Sequence, residues 1–286
     1  MNVLKTGLLL AVLTVLLVFL GHLIGGTQGA TVALIVALVI NFISYWFSDK
    51  IVLAMYRAKP LSEQEAPQVY RVVREIASRS QMPVPKIFWV STVTPNAFAT
   101  GRSPKHAAVV VTSGLLELMS EEELKGVLAH ELSHVHNRDT LVMTIAAALA
   151  GAVMMLARMA EWAVWFGGAR RDDRESRGSG AFQLVVLLMI AILAPLAAML
   201  VQLAISRTRE YSADETGAHL AGSPSGLASA LEKLDDATKR YPLPNANPAT
   251  AHLFIVNPLS AGTLATLFST HPPIEERIRR LRSMRL

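Results

Sequence analysis

Apolar residues in this chain are blocked into long runs, and between the runs they recur at helical or strand spacing among polar residues. The first run extends from about Leu8 to Ile24 and the second from about Ala30 to Phe47. Each approaches the roughly 20 residues that cross the hydrocarbon core of a bilayer, so a pair of membrane helices is expected. A cleaved leader is the rival reading of the first run, but the run is longer than a leader's apolar region and no small-residue cleavage pattern closes it. The connection from His22 to Ala30 carries no Lys or Arg, whereas Lys50, Arg57 and Lys59 follow the second run closely. Basic residues gather on the cytoplasmic side of membrane helices, which places the N-terminus and the segment after Phe47 in the cytoplasm.

From Lys59 to Asp139 the pattern is that of a soluble domain. Ser62 and Glu65 have capping-box spacing, and Val69, Val72, Val73 and Ile76 share one helical face, predicting a helix from about Glu63 to Arg79. Lys86 to Val90 and Ala107 to Thr112 are rich in β-formers and bounded by Pro or Ser, predicting short strands of a small sheet. A second capping box, Ser120 with Glu123, opens a helix whose apolar face is Leu124, Val127, Leu128 and Val135. A third apolar run, Leu141 to Leu156, ends near Arg158, Glu161, Trp162 and Trp165. A Gly- and Arg-rich loop, Gly167 to Gly180, precedes a fourth run, Ala181 to Ile205, which contains Pro195. The third and fourth runs read either as a second membrane hairpin or as buried or partly inserted helices. Beyond Ser206 a polar helix is predicted through Glu210 to about Leu220, and Ser223 with Pro224 opens another that carries Leu227, Leu231 and Leu234. Tyr241 to Thr270 reads as loop, and Ile274 to Met284 as an Arg-rich helix at the surface near lipid headgroups.

Composition sharpens this picture. Hydrophobic residues make up 52% and charged residues only 17%, where a soluble domain carries roughly a quarter charged. The chain has no cysteine, which excludes disulfides, thiolate nucleophiles and thiolate metal sites, so any metal must use nitrogen and oxygen donors. The formal net charge is +5, but the basic residues sit beside the apolar runs and in the C-terminal tail. No basic stripe with interleaved aromatics appears, so contact with the membrane surface is expected and nucleic-acid binding is not.

The segment from His130 to His134 reads His-Glu-x-x-His on a predicted helix. Residues four apart lie on one face, so both imidazoles can meet one ion, with Glu131 beside them as a candidate general base. A solvated helix with incidental His and Glu is the alternative. Glu210 and Asp214, again four apart, can complete such a site or belong to an ordinary charged helix paired with Arg207 and Arg209; spacing leaves both open. From the sequence alone, Asn96 after Pro95 reads as a turn residue. His22, His106, His136, His219 and His252 show no ligand spacing.

Five motifs carry a resemblance. They are Pro95-Asn96-Ala97-Phe98-Ala99-Thr100-Gly101, Thr112-Ser113-Gly114-Leu115-Leu116, Val127 to His134 continuing through Asn137-Arg138-Asp139, Arg209-Glu210-Tyr211-Ser212-Ala213-Asp214, and Thr270 to Ile278. In that order the chain resembles the HtpX family of membrane-bound zinc endopeptidases, and more distantly the CAAX prenyl proteases and mitochondrial inner-membrane stress proteases. The resemblance implies a mainly α fold with a small β-sheet, in which multi-pass membrane helices carry a cytosolic zincin-like (gluzincin) metalloprotease domain. Residues 1–58 would form a membrane hairpin, 59–140 and 207–286 the two parts of the catalytic domain, and 141–206 a second membrane hairpin. One Zn2+ per chain would be held by His130, His134 and Glu210, with Glu131 as general base and Asp214 hydrogen-bonded to a liganding imidazole. Asn96, Ala97 and Phe98 would border the substrate cleft, and His271 would serve the oxyanion or the terminal helix. The implied substrates are misfolded or damaged membrane proteins and unfolded polypeptides, cleaved at the cytoplasmic face of a prokaryotic inner membrane in quality control and stress response. A non-catalytic zinc-binding membrane scaffold is the alternative, and the lack of a fourth protein ligand in the motifs argues against it.

Overall fold

The structure, a computed structural model, describes residues 2–167, 207–240, 253–256 and 272–286. The fourth apolar run, residues 168–180 of the Arg-rich loop, and His271 lie outside the described residues. Both N-terminal runs fall in helix α1 (Asn2–Met55), which breaks at Gly25 and Gly26. Gly26 has φ 60° and ψ −143°, a conformation open only to a residue without Cβ. The two arms, Thr6–Leu23 and Gly25–Met55, are each long and apolar enough to cross a membrane. They fold against one another, with the Asn41 amide donating to the Leu10 carbonyl and to Thr14 Oγ1.

β1 (Lys59–Pro60) and α2 (Pro67–Arg79) follow. Ser62 and Glu65 exchange the expected capping-box bonds, yet the helix starts at Pro67 and not near Glu63. Ala66 stands at φ −142°, ψ 67°, because the ring of a following proline disfavours the helical region for its predecessor. Strands β2 (Lys86–Val90), β3 (Ala97–Thr100) and β4 (Ala108–Thr112) join β1 in one sheet of order β1-β2-β4-β3. β2 runs parallel to β4 with Ile87 opposite Val109, and β3 runs antiparallel to β4 with Phe98 opposite Val110. β3 is therefore an edge strand.

α3 (Ser113–Leu118) leads to α4 (Glu121–His136), whose capping box uses Ser120 and Glu123 as the spacing predicted. A bend of 90° separates α4 from α5 (Thr140–Gly167). α6 (Arg207–Ala221), α7 (Ser225–Arg240) and α8 (Ile274–Ser283) complete the described elements. α4 is the central helix: Leu124, Val127, Leu128 and Leu132 share one core with Val72 and Ile76 of α2, Val109 and Val111 of β4, and Leu227 and Leu231 of α7. The first part of α5 packs on α1 through Val142, Ile145 and Leu149 against Leu9 and Leu13. α8 departs from the surface helix read in the sequence. It packs against α6 and α7 with Arg277 and Leu281 fully buried, because Leu281 joins the core and the Arg277 charge meets a carboxylate.

Candidate active site

α4 buries His130, Glu131 and His134 beside its leucines. Burial of three ionisable groups in one and a half turns costs free energy unless partners converge on them, and α6 supplies those partners. α6 approaches so closely that a Cβ on Gly217 would lie 3.0 Å from the His130 backbone, leaving glycine as the residue that fits. Across this contact Glu210 places Oε2 3.7 Å from His130 Nε2 and Oε1 3.6 Å from His134 Nε2. The two imidazoles stand edge-on, with ring centroids 4.9 Å apart. One donor atom each from His130, His134 and Glu210 lies within 4.8 Å of the others. Two imidazole nitrogens and one carboxylate oxygen, open on a cavity, are the donor set of a metal centre that keeps a free coordination position.

The remaining nitrogens are oriented from behind. Asp214 Oδ1 lies 3.0 Å from His130 Nδ1, which directs Nε2 toward Glu210. Asp214 is itself gripped by Arg277, whose Nε and Nη2 donate to its two oxygens at 2.9 and 2.6 Å. Against burial, which would raise it, the Arg277 guanidinium holds the Asp214 carboxyl at about 2. Burial keeps His130 below its ordinary value and hence neutral, with a lone pair to offer. His134 is the opposite case: burial pulls it down, but Asp139, Glu210 and Glu131 together push it above the usual imidazole range. Asp139 Oδ2 faces His134 Nδ1 at 3.5 Å. That surplus of carboxylates is a physical demand for positive charge at the imidazoles, and a divalent cation fits it.

Glu131 points to the other side. Its Oε2 accepts the backbone N–H of Ala99 at 3.0 Å, fixing the carboxylate against β3. Burial, with the Glu210 charge in support, pushes Glu131 up to about 7. The cavity in front of these groups measures about 10 Å³ and is lined also by Phe98, Met143 and Leu253 to Ile255.

Of the residues singled out in the sequence, His130, Glu131, His134, Glu210 and Asp214 come together at this point, and Phe98 lines the cavity. Ala97 lies beside Phe98 on the edge strand. Asn96 is buried, and its amide engages residues 253–255. Sequence reasoning assigned no role to Arg277 or Asp139. No spacing links Arg277 to Asp214 across 63 positions, and Asp139 lies past the end of α4, where helical periodicity no longer places it.

The sequence profile of peptidase family M48 matches residues 63–285. The chain is similar to a protease HtpX homolog of Syntrophobacter fumaroxidans, 59% identical over 280 residues that cover 98% of either chain. It is 57% identical over 284 residues to the protease HtpX homolog of Thermodesulfovibrio yellowstonii, covering 99% of both. With the homolog of Pyrococcus furiosus it shares 55% identity over 280 residues, 98% of this chain and 95% of that one. Among solved structures it is similar in fold to S. mikatae Ste24p, with a TM-score of 0.50 and 19% identity over 96% of this chain and 62% of that chain.

Proposed function

The chain belongs to peptidase family M48 and is a membrane protease, and on that footing we propose that it is a zinc-dependent endopeptidase acting on misfolded or damaged membrane proteins. The convergence of His130, His134 and Glu210 within 4.8 Å carries this reading. These residues would hold the zinc; nitrogen and oxygen donors in this number suit that ion, and when bound it supplies a Lewis acid that makes water acidic near neutral pH. Asp214 fixes the His130 tautomer, and Arg277 holds Asp214 in its charged form.

Glu131 is the general base. Anchored through Oε2 to β3, it has Oε1 to take a proton from the attacking water. The hydroxyl oxygen then bonds to the scissile carbonyl carbon, the C–N bond breaks, and Glu131 returns the proton to the departing amine. A carboxyl raised toward neutrality by burial is matched to both transfers. β3 is the substrate strand: a polypeptide adds to its outer edge through main-chain bonds beside Ala97 and Phe98. His271 is a further candidate for steadying the oxyanion.

On this reading residues 1–58 would form one membrane hairpin and 141–206 a second, with 59–140 and 207–286 as the two parts of the catalytic domain. Basic residues after Phe47 support a cytoplasmic position for that domain, at the membrane of a prokaryotic cell. Substrates are accordingly exposed, unfolded portions of membrane proteins, and the role is quality control under stress. Cleavage of an unfolded protein by the detergent-purified chain, with and without a zinc chelator, tests the reaction. Glu131→Gln is expected to keep stoichiometric zinc and to lose about 10²- to 10⁴-fold in turnover; cleavage by this variant near the wild-type rate removes Glu131 as the base.

A further inference from the structure

The cleft is narrow. Glu131, the most accessible of the four central side chains, is only 6% exposed. The cavity before it, about 10 Å³, has the room of about one water, whereas a peptide laid along β3 occupies ~3.3 Å for every residue. Substrate and this arrangement exclude one another, so something now inside must leave.

The occupant is visible. Leu253, Phe254 and Ile255 line the same cavity as Glu131 and the two imidazoles, and all three are buried. They are held by their main chain: Asn96 Oδ1 accepts the Ile255 N–H at 3.1 Å, and Asn96 Nδ2 stands 3.5 Å from the Leu253 carbonyl. A carboxamide offers one acceptor and one donor side by side, the pair that reads a peptide backbone whatever its side chains. Asn96 directly precedes β3, the edge to which a substrate backbone would add.

We propose that residues 253–256 are an internal occupant of the main-chain site at Asn96, and that the chain is latent until an incoming polypeptide displaces them. This rests on the reading of β3 as the substrate strand. The occupant is also held by the end of the membrane helix: Phe254 packs on Tyr56 with ring centroids 6.1 Å apart, and Leu253 shares a cluster with Val52 and Phe98. Its release therefore loosens contacts between the cleft and α1, and a substrate must outcompete both sets. Asn96 serves in both states, gripping the chain's own backbone when idle and the substrate's backbone when engaged.

Hydrogen exchange on the full-length, zinc-loaded Glu131→Gln chain in detergent tests this, with casein as the unfolded polypeptide. Saturating casein is expected to speed exchange at the Ile255 amide by about 10-fold or more, while α4 amides stay protected. Exchange at Ile255 that is unchanged or slower at every casein concentration makes 253–256 a fixed wall of the cleft and overturns the proposal. In an otherwise unaltered chain, Phe254→Ala weakens the occupant's hold and is expected to raise kcat/KM for casein severalfold at undiminished zinc content; a fall in kcat/KM with zinc retained overturns it. Failure of the zinc-protease reading shows elsewhere, as wild-type cleavage that survives chelation.

Discussion

α1 and α4 are inverted with respect to each other. α1 turns Leu8, Phe19, Val32 and Phe42 outward, each more than half exposed, whereas α4 turns His130, Glu131 and His134 inward to 6% exposure or less. Surrounded by water, the first arrangement forfeits about 25 cal/mol for every Å² of apolar surface left wet. The second costs several kcal/mol for each buried charge without a partner. Each helix is thus folded for a surrounding that differs from bulk water. For α1 that surrounding is lipid, which removes the driving force to bury leucine. For α4 it is a shell of partners: Glu210 and Asp214 of α6 and Asp139 of the turn after α4 face the two imidazoles, Arg277 of α8 steadies Asp214, and the Ala99 N–H holds Glu131.

The largest expected disturbance of this contrast is Arg277→Met. The change keeps the volume roughly constant and leaves the Asp214 charge buried without its guanidinium, which costs about 3 to 5 kcal/mol. Denaturant unfolding in detergent measures it, and a loss below about 1 kcal/mol would show that Asp214 has another counter-charge. Because Asp214 lies against His130 Nδ1, affinity for a metal ion should fall in the same variant.

Glu123 gives a smaller effect with a pH signature. Burial alone would raise its carboxyl, but Lys233, Ser229 and Ser120 hold it down to about 2, joining the start of α4 to α7 at 2.7 Å from Lys233 and 2.5 Å from Ser229. A folded-state value below the unfolded 4.5 means stability that is fully present above about pH 4.5 and is lost as pH falls through about 2. Glu123→Gln should therefore be less stable than wild type by about 1.5 to 3 kcal/mol near neutrality, with the gap closing as the solution is acidified toward pH 2. A gap constant from pH 7 to pH 2.5 would assign the loss to shape and not to charge.

At the small end stands Leu38→Ala in α1. Leu38 is 57% exposed, so truncation removes lipid contact without opening a cavity, and stability in detergent should change by no more than about 0.5 kcal/mol. A loss of about 2 kcal/mol or more, the range of a buried leucine, would place a protein neighbour on that face.

Legibility in the sequence follows the range of the forces involved. The runs of α1, the strands at Lys86–Val90 and Ala108–Thr112, and the capped start of α4 were readable because each depends on residues within a few positions of one another. The start of α2 was misplaced by a similarly local effect, the restriction Pro67 imposes on Ala66. α8 was misjudged for a different reason. Its arginines read as solvent-facing, and nothing near Arg277 in the chain announces that Asp214 waits 63 residues upstream. Asn96 is intermediate: the resemblance set it at the border of the cleft, while its grip on Leu253 and Ile255, more than 150 positions away, was not apparent.

Read alone, the chain establishes that His130 and His134 share a helical face, because 3.6 residues per turn is a property of the backbone and needs no partner. It also establishes which segments prefer lipid, since twenty apolar residues in a row have few other stable surroundings. Which carboxylate meets those imidazoles, which cation steadies that carboxylate's neighbour, and what fills the cleft were decided by packing. Helices α4 and α6 come together at Gly217 because the surrounding core closes there, and a contact made by core closure leaves no periodic trace in the residues it joins.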